Sequence, residues 1–165
     1  MKKPRVLGVD PGLNVTGYAV LEVKNGKLQV CEAGIVRGRS RGSLAERVHQ
    51  IHQGITDVIE ALEPEVLALE ELFSHCQRPR TSILMGHARG VVCLAAAQAG
   101  IMVHNYAATQ VKRNLTGNGR ATKSQMQLAV QRELQLGQLP EPADVADALA
   151  IALCHHYLAN RPVQI

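Results

Sequence analysis

Four carboxylates in this chain occupy positions that suit chemistry better than solubility. Asp10 closes the apolar run Val6-Leu7-Gly8-Val9 and is followed by Pro11-Gly12. A short β-branched run bounded by turn residues reads as a buried strand. The proline disfavours helical backbone at Asp10 and keeps it extended, while Gly12 turns the chain without a Cβ penalty. Asp10 is thereby held at a strand tip, although an aspartate in a turn is unremarkable by itself. Glu70-Glu71 ends a second apolar run, Val66-Leu67-Ala68-Leu69. Asp144 and Asp147 stand three apart and so share one helix face. Asp144 suits the positive end of the helix dipole. Asp147 lies among Val145, Ala146, Ala148 and Leu149, where a carboxylate is costly unless paired or bound to a cation.

Acids brought that close would raise one another's pKa. A hard divalent cation removes the repulsion, and an all-oxygen shell suits Mg²⁺ or Mn²⁺. Two such ions held by carboxylates can clamp the attacking and leaving oxygens of a phosphodiester. Zinc and disulfide chemistry are not indicated, because Cys31, Cys76, Cys93 and Cys154 form no C-x-x-C pair. His155-His156 falls two turns past Asp147 and reads as a helix C-terminal end rather than as ligands.

These acids need elements to position them. Val15 to Val23 and Lys27 to Val36 read as strands joined by Asn25-Gly26, a strong two-residue hairpin signal. Leu28, Val30, Ala33 and Ile35 are the inward candidates of the second of these. The chain therefore opens with three antiparallel strands. Ser43 and Glu46 make a capping box for a helix carrying Leu44, Val48, Ile51, Ile55 and Ile59 at helical spacing up to Pro64. The strand that follows, ending at Glu70, is reached by a crossover that would set it parallel to the first. If the two strands are neighbours, Glu70 falls beside Asp10; alternation alone does not choose between Glu70 and Glu71. Further helices are expected over about 82–99, 107–115 and 122–134 and from about Ala143, with a strand at Ile101–Tyr106. The small residues from Gly86 to Ala97 suggest close approach by another element, and a subunit contact is expected there, at Ala96.

With 165 residues, of which 46% are hydrophobic and 19% charged, one globular domain spanning 1–165 is expected. No apolar run approaches membrane-spanning length, no signal peptide precedes the first strand, and a reduced cytoplasmic location is expected. The net charge of +4 permits a polyanionic partner without establishing one. With one Phe, three Tyr and no Trp, extensive base-stacking platforms are not expected, and any nucleic acid is expected to be held through its backbone.

Several segments in order carry a resemblance: Gly8-Val9-Asp10-Pro11-Gly12 with Thr16-Gly17-Tyr18, Ala68-Leu69-Glu70 with Phe73, and Gly86-His87-Ala88-Arg89-Gly90-Val91. Gln110-Val111-Lys112, Lys123-Ser124-Gln125 and Ala143 to Ala152 continue it to the end of the chain. Together they resemble the RuvC-type Holliday-junction resolvases, within the RNase H/retroviral-integrase-like nucleases. The resemblance implies an α/β fold with a five-stranded mixed sheet, its first three strands antiparallel and helices on both faces. It implies Asp10, Glu70, Asp144 and Asp147 as catalytic metal ligands, choosing Glu70 over Glu71, with two Mg²⁺ or Mn²⁺ ions. It further implies a homodimer that makes paired symmetric nicks in four-way DNA junctions, leaving 5′-phosphate and 3′-hydroxyl ends. The RuvA–RuvB branch-migration complex would be its partner. Lys112 and Lys123 match basic positions assigned to DNA or to transition-state charge, and Phe73 matches an aromatic beside the active site that stacks on a base. Arg78, Arg80, Arg113 and Arg120 are weaker candidates for backbone contacts; any one basic side chain is equally an ordinary solvated one.

Three rival readings stand beside this one. An actin-like kinase or ATPase also follows an aspartate-ended strand with a phosphate loop, but needs two such domains, and no P-loop sequence occurs here. A related nuclease acting on RNA is opposed only weakly. A non-catalytic junction-binding module would leave four ligand-type acids unexplained.

Overall fold

The computed structural model describes residues 4–39, 41–72 and 78–160. Strands β1 (Arg5–Asp10), β2 (Val15–Lys24), β3 (Lys27–Arg37), β4 (Val66–Glu70) and β5 (Met102–Tyr106) form one sheet in the order β3-β2-β1-β4-β5. β1–β2 and β2–β3 are antiparallel, whereas β1–β4 and β4–β5 are parallel. Asn25 and Gly26 both have positive φ, 53° and 74°, as a two-residue hairpin turn of matching twist requires. A bulge interrupts the β2–β3 ladder, where Val20 pairs with Glu32 but Leu21 pairs with Val30. Skipping Cys31 shifts the alternation by one residue. That is why Leu28 and Val30 before it, and Ala33 and Ile35 after it, all pack on the same core.

Among the described residues, five helices cover the sheet: α1 (Leu44–Leu62), α2 (Pro79–Gln98), α3 (Ala108–Thr116), α4 (Lys123–Glu133) and α5 (Ala143–Ala159). Ser43 and Glu46 make both halves of the capping box of α1. α2 begins at Pro79, three residues before the expected start, because proline tolerates the first helical turn where no N–H partner is needed. On one face of the sheet, Leu7, Val9, Val20, Leu67 and Leu69 pack against Ile51 and Ile55 of α1 and Val92 and Ala96 of α2. On the other, Val6, Ala19, Leu21 and Ala68 pack against α5, with Val111 of α3 and Val130 of α4 beyond.

The expectation that Ala96 forms a subunit contact is therefore corrected. It is fully buried within its own chain. The open side of α2 carries instead Ile83, Gly90 and Leu94, with Ile83 63% and Leu94 49% exposed. Among the described residues, no helix is long and apolar enough to cross a membrane.

Candidate active site

The acids converge because β1 and β4 are neighbours and α5 lies across them. Val9 pairs with Leu69, so Asp10 and Glu70 end adjacent parallel strands. Alternation turns both toward α5, since Val6, Gly8 and Ala68 already face it. Two glycines let that helix descend onto the sheet. A Cβ on Gly8 would stand 2.3 Å from the carbonyl oxygen of Ala148, and one on Gly17 would stand 2.0 Å from that of Asp144. Gly17 is also the ladder partner of Asp10. The same backbone contact thus brings the first turn of α5, with Asp144 and Asp147, against the strand tip. Behind Asp10 the turn is locked by fully buried Thr16, whose hydroxyl donates to the Gly12 carbonyl at 2.8 Å and accepts from the Gly12 N–H at 3.1 Å.

Asp10, Glu70 and Asp147 line a cavity of about 270 Å³ with Lys112 of α3 and Lys123 at the start of α4. Asp147 is the one residue from Val145 to His155 that is not buried; it opens into this space. Burial, followed by the charges of Asp147, Asp144 and Glu70, raises the Asp10 carboxyl to about 8, and the protonated group donates a hydrogen bond to Asp147. Burial and Asp147 raise Glu70, opposed by Lys112. Burial raises Asp147 as well, opposed first by Lys123 and then by the hydrogen bond from Asp10. Asp144 does not line the cavity, but its charge is felt by both Asp10 and Asp147. Among the described residues, no three His, Cys, Asp or Glu side chains stand as a closed ligand group. The donor set nevertheless fits a hard divalent cation: it is all carboxylate, and its members resist ionising together, the penalty such a cation cancels.

The model of the crossover junction endodeoxyribonuclease RuvC family matches residues 6–155. The chain belongs to this family. A crossover junction endodeoxyribonuclease RuvC of Rhodopirellula baltica is 57% identical over 158 residues, covering 96% of this chain and 89% of that protein. The solved structure of Thermus thermophilus RuvC is 36% identical with a TM-score of 0.86, covering 94% of this chain and 95% of that one. Thermus thermophilus RuvC in complex with a Holliday junction substrate gives 36% identity and a TM-score of 0.88, with 94% of each chain covered. RuvC nucleases are, as a family, dependent on divalent metal. The five-stranded mixed sheet with its antiparallel opening is the fold they share with this chain.

The other basic residues singled out from the RuvC resemblance lie apart from the carboxylates. Arg78 and Arg80 are exposed at the start of α2, Arg120 is exposed in the α3–α4 turn, and Arg113 lies against Gly119 in that turn. Phe73 lies outside the described residues. His155 is buried, with its Nδ1 2.6 Å from the Tyr106 hydroxyl, as part of the core rather than of the acid cleft. Sequence reasoning missed Arg89 and Asn105, which sit beside Glu70. It also passed over one usable signal at Lys123. A lysine in the first turn of a helix is disfavoured by the helix dipole, and α4 carries it with no acidic residue in that turn.

Proposed function

We propose that this chain resolves four-way DNA junctions by paired symmetric nicks, as a metal-dependent endonuclease whose active site is the cleft at the ends of β1 and β4. The observation that carries the reading is the convergence of Asp10, Glu70 and Asp147, with Asp144 adjoining, in one cavity rimmed by Lys112 and Lys123. Membership of the RuvC family and the likeness to a RuvC bound to a Holliday junction support it.

Asp10, Glu70, Asp144 and Asp147 would hold Mg²⁺ or Mn²⁺, two ions per site. Such ions supply a water of lowered pKa as nucleophile and steady the leaving 3′ oxygen, so that the products carry 5′-phosphate and 3′-hydroxyl. Asp10, whose carboxyl is raised to about 8 by burial and its acidic neighbours, would have to be ionised to serve as a ligand. Lys112 and Lys123 attract the scissile phosphate and offset its charge. Arg78, Arg80, Arg113 and Arg120 are assigned to flanking phosphates, and Phe73 to a base unpaired at the crossover.

Opposed nicks need two sites related by a two-fold axis. The open side of α2 supports a homodimer. Ile83, Gly90 and Leu94 fall on one helix face, and nothing lies within 4 Å of a Cβ built on Gly86 or Gly90. The remaining elements of the reading are a single nuclease domain over 1–165, a cytoplasmic location and partnership with RuvA–RuvB.

The test is a synthetic mobile junction with Mn²⁺, run beside an RNA/DNA hybrid. The wild-type chain should nick opposite strands of the junction and leave the hybrid intact, whereas Asp147→Asn should bind the junction and not cut it. Cleavage by Asp147→Asn at saturating Mn²⁺ would remove Asp147 from the site.

A further inference from the structure

We propose that Arg89 is a positioning residue for this nuclease: from α2 it ties together the ends of β4 and β5 and so fixes the direction of the Glu70 carboxylate. The inference rests on Glu70 being one of the catalytic acids. Arg89 Nε donates to the backbone carbonyl of Glu70 at 3.4 Å, and its Nη2 donates to Asn105 Oδ1. Asn105 pairs with Leu69 in the ladder, Tyr106 pairs with Glu70, and the Glu71 N–H donates to the Tyr106 carbonyl at 2.8 Å. The guanidinium therefore spans two neighbouring strands at their C-terminal ends, adding a side-chain tie to the last rungs of the ladder. A planar fork can serve two divergent acceptors at once, which a lysine ammonium on its flexible stem does poorly.

Arg89 reaches the reacting acids from behind. It approaches Glu70 from the α2 face, whereas the Glu70 carboxylate leaves on the α5 face. Arg89 also borders a small cleft of about 30 Å³ together with Asp10, Pro11, Glu70, Glu71, Leu72 and Met85. Its hydrogen bonds go to the Glu70 carbonyl and to Asn105, so the side chain is placed to act through the Glu70 backbone. Its two acceptors are neutral, so it holds geometry rather than cancelling charge. Outer partners of this kind typically cost about 10–100-fold in metal affinity or activity when removed, since small displacements at a reacting centre are expensive.

The experiment compares Arg89→Ala, Arg89→Lys, Asn105→Ala and the Arg89→Ala/Asn105→Ala double variant in the full chain. Single-turnover junction cleavage is measured across a Mn²⁺ titration, with junction affinity in EDTA and melting temperature measured alongside. Arg89→Ala should cut about 10–100-fold more slowly and need several-fold more Mn²⁺ for half-maximal rate. Junction affinity should stay within about two-fold and melting within a few degrees. Arg89→Lys should recover part of the rate, and the double variant should be no slower than Arg89→Ala, because the two side chains act as one unit. Rates and Mn²⁺ dependence within two-fold of wild type would overturn the inference. So would a rate loss matched by equal losses of junction affinity and folded protein, which would make the role merely structural. Glu70→Gln separates this claim from the site itself. If Glu70→Gln still cuts, the active-site reading fails and the inference with it; if it is dead while Arg89→Ala is fully active, the inference alone fails.

Discussion

Replacing Asp10 by Asn removes the charge that this site holds least willingly, and the consequence for stability can be worked out. Burial and three neighbouring acids raise the carboxyl from 3.8 to about 8. The unfolded chain loses this proton near pH 4 and the folded chain keeps it until about pH 8. Folded protein therefore carries the extra proton across that window, and its stability falls as pH rises, by at most about 1.36 kcal/mol per pH unit. The contribution is fully present below about pH 4 and gone above about pH 8. Over the whole window the ceiling is about 5–6 kcal/mol. Lys112 and Lys123 beside Glu70 and Asp147, and relaxation of a half-exposed cleft, bring the expected gain from Asp10→Asn to about 1–3 kcal/mol. The amide still offers an N–H to Asp147. At about 2–4 °C per kcal/mol for a chain of this size, the variant should melt roughly 2–12 °C above wild type at pH 8 in EDTA. The two should converge toward pH 4. Mn²⁺ should raise the wild-type melting temperature and leave the variant nearly unmoved. Equal melting of both proteins from pH 5 to pH 8 would refute the electrostatic account of the cleft.

Four further outcomes follow from the geometry. Lys123→Ala should flatten the plot of log junction affinity against log salt by about one unit; an unchanged slope in a salt titration would place Lys123 off the DNA. Gly17→Ala puts a methyl where the Asp144 carbonyl lies, 2.0 Å away, so the first turn of α5 must lift. Urea unfolding should show a loss of about 1–3 kcal/mol, and cleavage should fall further than junction binding. Leu94→Glu on the open side of α2 should yield monomers in sedimentation with melting little changed. Ala96→Trp, at a fully buried position, should instead lower the melting temperature.

Asp10 and Asp147 stand out in the sequence as local anomalies, Asp10 behind a β-branched run and Asp147 inside an apolar helix. The hairpin at Asn25-Gly26 and the Ser43–Glu46 cap were legible for the same reason, since both are made by residues adjacent in sequence. Choosing Glu70 over Glu71 needed to know which face of the sheet α5 covers. That is a tertiary fact, and family resemblance supplied what alternation lacked. Ala96 was misplaced because α2 is apolar on both sides: Ala88, Val92, Ala95 and Ala96 face the sheet, while Ile83 and Leu94 face outward. When both faces of a helix are hydrophobic, periodicity cannot tell inside from outside. Arg89 and Asn105 left no local trace at all, because their pairing joins a helix to the edge strand across a backbone carbonyl.

The use of α5 to complete the cleft bears on how the protein is made. Asp10 and Glu70 leave the ribosome early, but Asp144 and Asp147 follow about seventy residues after Glu70. At about 5–20 residues per second, the growing chain spends roughly 4–15 s with half its acids synthesised and the rest missing. During that interval the strand tip holds two carboxylates, and Gly8 and Gly17 have no helix against them. Until α5 is made, the nascent chain carries only two of the four acids of the proposed active site. On the proposed reading the cleft is complete only once α5 docks, so a product truncated before this helix should fail to cut a junction.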